Sequence, residues 1–246
     1  MRFAAAALLL ACACATGPTQ KDMERAEIHY NLGAEALRAS RVQDALKEFD
    51  EALEADANFA DAHLGRGLVM EYGFGKLDDA EKHYRRAIEL RPAFPEAHNN
   101  LGQLLAKRGR LQEAVAEFNE ALANMMYAEP YIARCNKGEA LYRLGRRDEG
   151  MAELQTCLKL NPRYCLGHRT LGRIHLDEGR PKQALDSFDK YAQHCPGAAD
   201  AWYQLGVAQL KVGDAPKATE AFQHCEELAG QADLGTECRR SRGMLQ

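Results

Sequence analysis

The chain has 246 residues and a formal charge of −4 at pH 7, and 28% of its residues are charged. Acidic and basic residues are too evenly balanced for a nucleic-acid-binding protein, which would show a basic patch or stripe. No stretch is of low complexity, so we expect most of the chain to be folded.

The N-terminal segment has the character of a targeting signal. A short basic start precedes a run of nine apolar residues, 3–11. This run is too short to span a bilayer, which takes about 20 apolar residues, but it has the length of the apolar part of a secretory signal. The run ends in Leu9-Leu10-Ala11-Cys12, which resembles the lipobox of bacterial lipoproteins.

The lipobox resemblance implies that residues 1–11 are a signal peptide that is removed and that Cys12 carries a diacylglyceryl lipid. Because Ala13 rather than an aspartate follows Cys12, the resemblance also implies an outer-membrane anchor facing the periplasm. Residues 12–25 are then the lipidated cysteine and its tether. Two alternatives stay open, namely lipidation at Cys14 and an ordinary signal peptide that happens to contain cysteines.

The rest of the chain repeats with a period of 34 to 36 residues. A glycine recurs at Gly33, Gly67, Gly102, Gly138, Gly172 and Gly206. A small residue recurs at Ala45, Ala80, Ala114, Gly150, Ala184 and Ala218, and a bulky apolar residue at Phe49, Tyr84, Phe118, Leu154, Phe188 and Phe222. This pattern, with a proline closing three of the repeats, resembles the tetratricopeptide repeat, a hairpin of two helices.

The sequence therefore predicts an all-α fold, a right-handed superhelix of six tetratricopeptide hairpins with a C-terminal capping helix. The small residues are expected where the two helices approach closest, and the bulky residue in the groove towards the next repeat. One hairpin cannot bury its apolar face alone, so the repeats must stack. The predicted repeats are 26–59, 60–94, 95–130, 131–164, 165–198 and 199–232, and the capping helix is 233–246.

The first helix of each repeat is expected to line a concave surface, which makes that surface the candidate binding site. Carboxamides recur there, and an amide both donates and accepts hydrogen bonds, so it can pair with the backbone of an extended peptide. The predicted partner-binding residues are Tyr30, Asn31, Leu64, Asn99, Asn100, Gln103, Asn136, Tyr203 and Gln204. The alternative for each of them is a solvated polar face.

Four histidines, His29, His63, His98 and His168, share the fourth place of their repeats. Stacked repeats lie about 10 Å apart, which is too far for a shared metal ion with bonds of about 2 Å. We interpret them as packed structural side chains and predict no metal site. The chain has no Ser-His-Asp arrangement, HExxH or glycine-rich phosphate loop, so we predict a binding protein without cofactor rather than an enzyme.

Six cysteines lie in the second half of the chain, and an oxidising periplasm would favour their pairing as disulfides. Sequence alone allows 15 pairings. In an antiparallel hairpin, however, facing residues have repeat places that sum to a constant, and two cysteine pairs give the same sum. The predicted pairs are Cys135–Cys157, Cys165–Cys195 and Cys225–Cys238. Buried free thiols are the alternative.

Two irregularities add a more specific resemblance. Repeat 2 carries one extra residue near 71–75, and repeat 3 is stretched by two residues over 125–130, a stretch that runs on as YAEPYIARCNKGEALYRLGR. Together with HNNLG at 98–102 and SFDKYAQ at 187–193, this segment resembles the PilF/PilW-type pilotins, six-repeat lipoproteins of type IV pilus assembly, and most of all the Tgl type of myxobacteria. The cysteines depart from the PilF and PilW pattern and are compatible with the Tgl type.

The pilotin resemblance implies a protein that binds the secretin subunit of the pilus and promotes its outer-membrane localisation and multimerisation, in support of pilus-dependent motility. Its partners would be the secretin and, through the lipid, the outer membrane, with no nucleic acid and no small-molecule substrate. The alternative is a tetratricopeptide scaffold lipoprotein for other envelope or cell-wall assembly machinery, or an accessory of an enzyme in such a machine.

Overall fold

The computed structural model describes residues 17–245, and every regular element in that range is helical. The helices are α1 (Gln20–Arg38), α2 (Val42–Ala55), α3 (Ala60–Leu68), α4 (Leu77–Leu90), α5 (Pro95–Lys107), α6 (Leu111–Ala123), α7 (Pro130–Arg143), α8 (Arg147–Leu160), α9 (Cys165–Asp177), α10 (Pro181–His194), α11 (Ala199–Lys211), α12 (Ala215–Ala229) and α13 (Asp233–Gly243). A π-helical segment, Val69–Gly73, continues α3. The predicted all-α fold class is confirmed.

The helices form two compact modules, an N-terminal module that ends at Pro92 and a C-terminal module that begins at Ala93. The N-terminal module holds the hairpins α1–α2 and α3–α4, and the C-terminal module holds α5–α6, α7–α8, α9–α10 and α11–α12 with α13 packed on α12. The first helices of repeats 2 to 6 begin at Ala60, Pro95, Pro130, Cys165 and Ala199, and α13 begins at Asp233.

Each of the six hairpins turns through a residue with positive φ two places after its first helix ends, and in repeat 2 this residue is Gly75, with φ +65, after the π-helical continuation of α3. Gly213, with φ +85, ends α11 in this way, because a residue without a Cβ adopts this conformation at little cost. In repeat 1 the same place is taken by Ser40, with φ 58. The turn is therefore kept even where the sequence lacks glycine.

The recurring glycines lie against the recurring bulky residues, as the repeat pattern predicts. A Cβ on Gly206 would lie 2.7 Å from Cε1 of Phe222, and one on Gly33 would lie 2.8 Å from the Phe49 ring. The Phe49 ring also reaches the next repeat, since a Cβ on Gly65 would lie 2.5 Å from it. Each bulky ring is thus locked between helices by the absence of a side chain opposite it.

The π-helical segment lies where the sequence carries its extra residue in repeat 2. A π-helical turn takes one residue more than an α-helical turn, so the insertion is absorbed within the helix. The segment buries Glu71, whose carboxylate accepts a hydrogen bond from the Tyr84 hydroxyl at 3.1 Å. The next side chain, Tyr72, is 62% exposed.

The first helix begins at Gln20, so the predicted tether over 12–25 is wrong for residues 20–25. Thr19 caps the helix, because its hydroxyl accepts from the Asp22 amide at 3.2 Å while the Asp22 carboxylate accepts from the Thr19 amide at 3.1 Å. This reciprocal capping box stabilises the first turn.

The predicted signal peptide, 1–11, and the predicted lipidation site, Cys12, lie outside the described residues. Between residues 17 and 245, no helix combines the length and the apolar character that a bilayer span requires.

Candidate partner-binding surface

The N-terminal module contains a groove of about 380 Å³ between α1 and the start of α3, within the size range of ligand-binding clefts. We call it the α1 groove. It is lined by Met23, Ala26, Glu27, Tyr30, Asn31, Asp56, Phe59 and Asp61. Two of the predicted partner-binding residues, Tyr30 and Asn31, therefore lie at one surface depression.

The floor of the α1 groove is aromatic. The Tyr30 ring packs edge-to-face on Phe59, with 5.5 Å between ring centroids, and lies 6.0 Å from the buried Phe49 ring. These contacts fix the Tyr30 ring, whereas Asn31 and Met23 remain exposed at the groove's side. A fixed aromatic floor with accessible neighbours suits the burial of an apolar side chain from a partner.

In the C-terminal module, two of the predicted amides, Asn99 and Asn136, bond to each other. The Asn136 side-chain amide donates to the side-chain carbonyl of Asn99 at 3.0 Å, which joins α7 to α5, and Asn99 is only 5% exposed. Asn100 and Gln103 are partly buried on the same helix, α5. The pair Asn99 and Asn136 therefore has an internal role in addition to any contact with a partner.

Polar bonds between repeats continue along the same face of this module. Thr170 donates to Glu139 at 3.3 Å, and the Tyr203 hydroxyl donates to Glu237 of the capping helix at 2.7 Å. Burial and then the hydrogen bond to Glu237 raise the pKa of Tyr203 to about 12, so it stays a donor. Gln204 donates to Asp200 at 3.3 Å within α11.

The predicted residues thus fall into two groups. Tyr30 and Asn31 belong to the α1 groove, and Leu64 lies half-buried on α3 of the same module. The residues of the C-terminal module lie on first helices, where several bond to neighbouring repeats. The α1 groove is the stronger candidate for a partner because its aromatic floor is open.

Six lining residues of the α1 groove were not predicted from the sequence, namely Met23, Ala26, Glu27, Asp56, Phe59 and Asp61. Phe59 lies in the connection between α2 and α3, and Met23 and Glu27 lie in or beside the segment that the sequence suggested was a tether. The capping box that starts with Thr19 was the available signal for a longer α1.

Three of the fourth-place rings share one contact, which explains how histidine replaces the usual tryptophan. The ring N–H groups of His63, His168 and Trp202 each donate to the carbonyl six residues earlier, at 3.1, 2.9 and 2.8 Å. His29 and His98 pair through Nδ1 with a glutamate of the second helix, at 2.7 Å each. Within residues 17–245, no three potential ligand side chains converge on a metal position.

His63 and His83 form a pair inside repeat 2. Their Nδ1 atoms lie 3.1 Å apart. Because a carbonyl only accepts, His63 carries its proton on Nε2, and its Nδ1 accepts from His83. Burial and then the Arg66 charge lower the pKa of His83 to about 4, and burial lowers that of His63.

All three predicted disulfides are formed in the structure. Cys135–Cys157 and Cys165–Cys195 each close a hairpin, with Cα–Cα distances of 5.4 and 5.9 Å, and Cys225–Cys238 joins α12 to α13. All six cysteines belong to the C-terminal module.

The stretched junction between repeats 3 and 4 is an ordered turn. The Asn124 side chain donates to the Ala93 carbonyl at 3.1 Å and accepts from the Met126 amide at 2.9 Å. Tyr127 is buried, while Met125 and Met126 are 98% and 88% exposed. Any contact made by this turn would therefore involve the methionines and not Tyr127.

Comparison with protein families identifies the repeats. A tetratricopeptide repeat model matches residues 30–70, 71–129, 135–198 and 169–232. The chain belongs to the tetratricopeptide repeat family. Tetratricopeptide repeat proteins bind protein partners, and their scaffold is generally non-enzymatic.

Curated relatives outside the pilus context share these repeats. Human tetratricopeptide repeat protein 6 is 26% identical over 192 residues, covering 65% of this chain and 37% of that protein. DnaJ homolog subfamily C member 3 of Rattus norvegicus is 26% identical over 215 residues, covering 82% of this chain and 42% of that protein. The chain spans about two fifths of the length of these relatives.

Two solved tetratricopeptide structures are similar over almost their whole length. PilW, a widely conserved type IV pilus biogenesis factor, matches with a TM-score of 0.75 and 26% identity, over 86% of this chain and 97% of PilW. PilF of Pseudomonas aeruginosa matches in fold with a TM-score of 0.71 and 20% identity, over 90% of this chain and 99% of PilF.

Proposed function

We propose that this protein is an outer-membrane lipoprotein of type IV pilus assembly that binds the secretin subunit and promotes its localisation and multimerisation. The similarity to PilW carries the proposal, because it extends over nearly all of that pilus biogenesis factor at 26% identity. The repeats would bind the secretin subunit, and the lipid on Cys12 would anchor the protein to the outer membrane. No chemistry on the partner is required.

The α1 groove is the proposed capture site. Its fixed aromatic floor, formed by Tyr30 and Phe59, would receive an apolar side chain of the secretin, and the exposed amide of Asn31 would bond the adjacent backbone. In the C-terminal module, by contrast, Asn136 is engaged with Asn99. We therefore assign the capture to the first repeat, with the disulfide-bonded repeats as its support.

The capture site is tested by filling the groove. Asn31→Trp adds a bulky neutral side chain at an exposed position of the groove, and Gln43→Trp adds the same side chain at an exposed position of α2 outside it. We expect Asn31→Trp to lower secretin co-purification about tenfold or more and to lower assembled multimers in cells. Gln43→Trp should act like the parent, with circular dichroism as the folding control for both.

Secretin multimer levels in a deletion strain test the role itself. A loss of multimers that the intact protein restores is the expected result. Normal multimers without the protein would contradict the proposal and favour the scaffold role in other envelope or cell-wall machinery.

The lipid anchor is tested separately. Stable anchoring takes more than one acyl chain, and each buried CH₂ contributes about 0.8 kcal/mol. Cys12→Ala should therefore release the protein from membranes. Retention of Cys12→Ala would contradict lipidation at Cys12, and a variant that also lacks Cys14 would show whether the lipid lies there instead.

A further inference from the structure

We propose that the α1 groove takes a partner segment that combines apolar side chains with lysine or arginine. This rests on the proposed function only for the source of the segment, the secretin. The chemistry of the segment follows from the groove itself.

The apolar part of the recognition is set by the floor. Phe59 and Tyr30 are in edge-to-face contact, Ala26 is buried beneath them, and Met23 is 43% exposed at the open side. A methionine adapts its shape to different partner side chains. A volume of about 380 Å³ has room for a few side chains and not for a folded element.

The charged part is set by the rim, where every lining residue that is charged at pH 7 is acidic. Asp61 is already paired with Arg91. Glu27 has no ion-pair partner in the described part of the chain, and the Asp56 carboxylate accepts a hydrogen bond there only from the backbone amide of Asn58, at 2.9 Å. Two carboxylates therefore face the groove without a cation.

His63, which interacts electrostatically with Asp56, does not offset this charge. His63 lies on α3 with its Nε2 bonded to the Ala57 carbonyl. Burial lowers its pKa, so it is neutral at pH 7. The negative potential at the groove is thus maintained at physiological pH.

The net negative charge is concentrated in the N-terminal module, which holds the α1 groove. Residues 17–92 contain 11 lysines and arginines against 16 aspartates and glutamates, whereas residues 93–246 contain 20 of each. The negative charge of the described chain thus belongs to the module that holds the groove. Complementary charge of this kind speeds association and selects against acidic partners.

The test measures binding of overlapping 15-residue peptides, covering the periplasmic part of the secretin, to the full chain. A 12-residue peptide of leucine and lysine, and its leucine and glutamate counterpart, serve as probes. We expect the leucine–lysine probe to bind and the leucine–glutamate probe not to bind, and the secretin peptides that bind to carry net positive charge. Their Kd should rise about fivefold between 50 and 500 mM NaCl, because salt screens exposed ion pairs.

A charge-removing variant locates the effect. Glu27→Gln with Asp56→Asn keeps the side-chain shapes and should weaken binding about fivefold, as expected for two exposed ion pairs. Glu51→Gln with Glu54→Gln removes the same charge from α2 outside the groove and should leave the Kd within about twofold.

The outcomes separate the two proposals. If the leucine–lysine probe binds with this charge dependence while no secretin peptide binds, the secretin assignment fails and the inference stands. If secretin peptides bind without excess positive charge, without salt dependence, or with equal loss in both variants, the inference is overturned while the proposed function stands. Binding of neither class of peptide overturns the inference.

Discussion

At the scale of single residues, the repeat glycines are steric requirements. A Cβ on Gly206 would lie 2.7 to 3.0 Å from three atoms of Phe222, a ring that is 1% exposed. Gly206→Ala should therefore destabilise the fold by about 1–3 kcal/mol, the usual cost of overpacking a core. Urea unfolding followed by circular dichroism measures this. Gly243→Ala is the control, because nothing lies within 4 Å of its added Cβ, and it should change stability by less than about 0.5 kcal/mol.

The amide pair of the C-terminal module makes a second residue-scale prediction. Asn136→Ala removes the donor that bonds the buried side chain of Asn99. Leaving a buried polar group without its partner costs about 1–3 kcal/mol. Asn100→Ala removes a neighbouring amide that does not belong to this pair, and its expected cost is smaller, about 0.5 kcal/mol. Equal unfolding midpoints for the two variants would contradict an internal role for Asn136.

At the scale of helices and hairpins, the histidine pair of repeat 2 makes stability depend on pH. His83 has a pKa of about 4 in the folded protein and about 6.5 when unfolded. Between these values the unfolded chain binds the extra proton, so the free energy of unfolding falls as pH decreases from about 6.5 to about 4.

His83→Asn tests this dependence, because asparagine can still donate to His63 but does not titrate. We expect its stability to fall less between pH 7.5 and pH 5, by roughly 1 kcal/mol, since His83 is only partly shielded from solvent. His224→Asn, at an exposed position of α12, is the matched control. An unchanged pH dependence for His83→Asn would rule out this source.

The sequence predicted the elements well because the repeat pattern reports packing directly. The spacing of glycine and a bulky residue, as in Gly206 and Phe222, is a contact between two helices, so it identifies the hairpin. Facing places within a hairpin likewise gave the disulfide Cys135–Cys157.

Features that depend on a particular side-chain partner could not be predicted from the repeat pattern. The bond between Asn99 and Asn136 depends on the distance between two helices from different repeats, which the repeat period does not fix. The burial of Tyr127 depends on how the Asn124 turn closes. The groove likewise depends on the early start of α1 at Gln20.

At the scale of the molecule, the three disulfides make the C-terminal module the covalently reinforced part. They close segments with sequence separations of 22, 30 and 13 residues, and each is worth about 3 kcal/mol on the loop-entropy model. Reduction should therefore lower the unfolding midpoint of the disulfide-bonded protein. Peptide mapping without reductant should recover the three linked pairs, and six thiols open to alkylation would contradict the disulfides.

The capping box at Thr19 also sets a length. Because α1 begins at Gln20, only residues 13–19 separate it from Cys12. Seven residues reach at most about 25 Å when fully extended. If Cys12 carries the lipid, as we propose, this short tether would keep the groove close to the membrane surface. A secretin segment at the membrane would then meet the groove at a high effective concentration. A longer tether would lower that effective concentration without changing any contact within the groove.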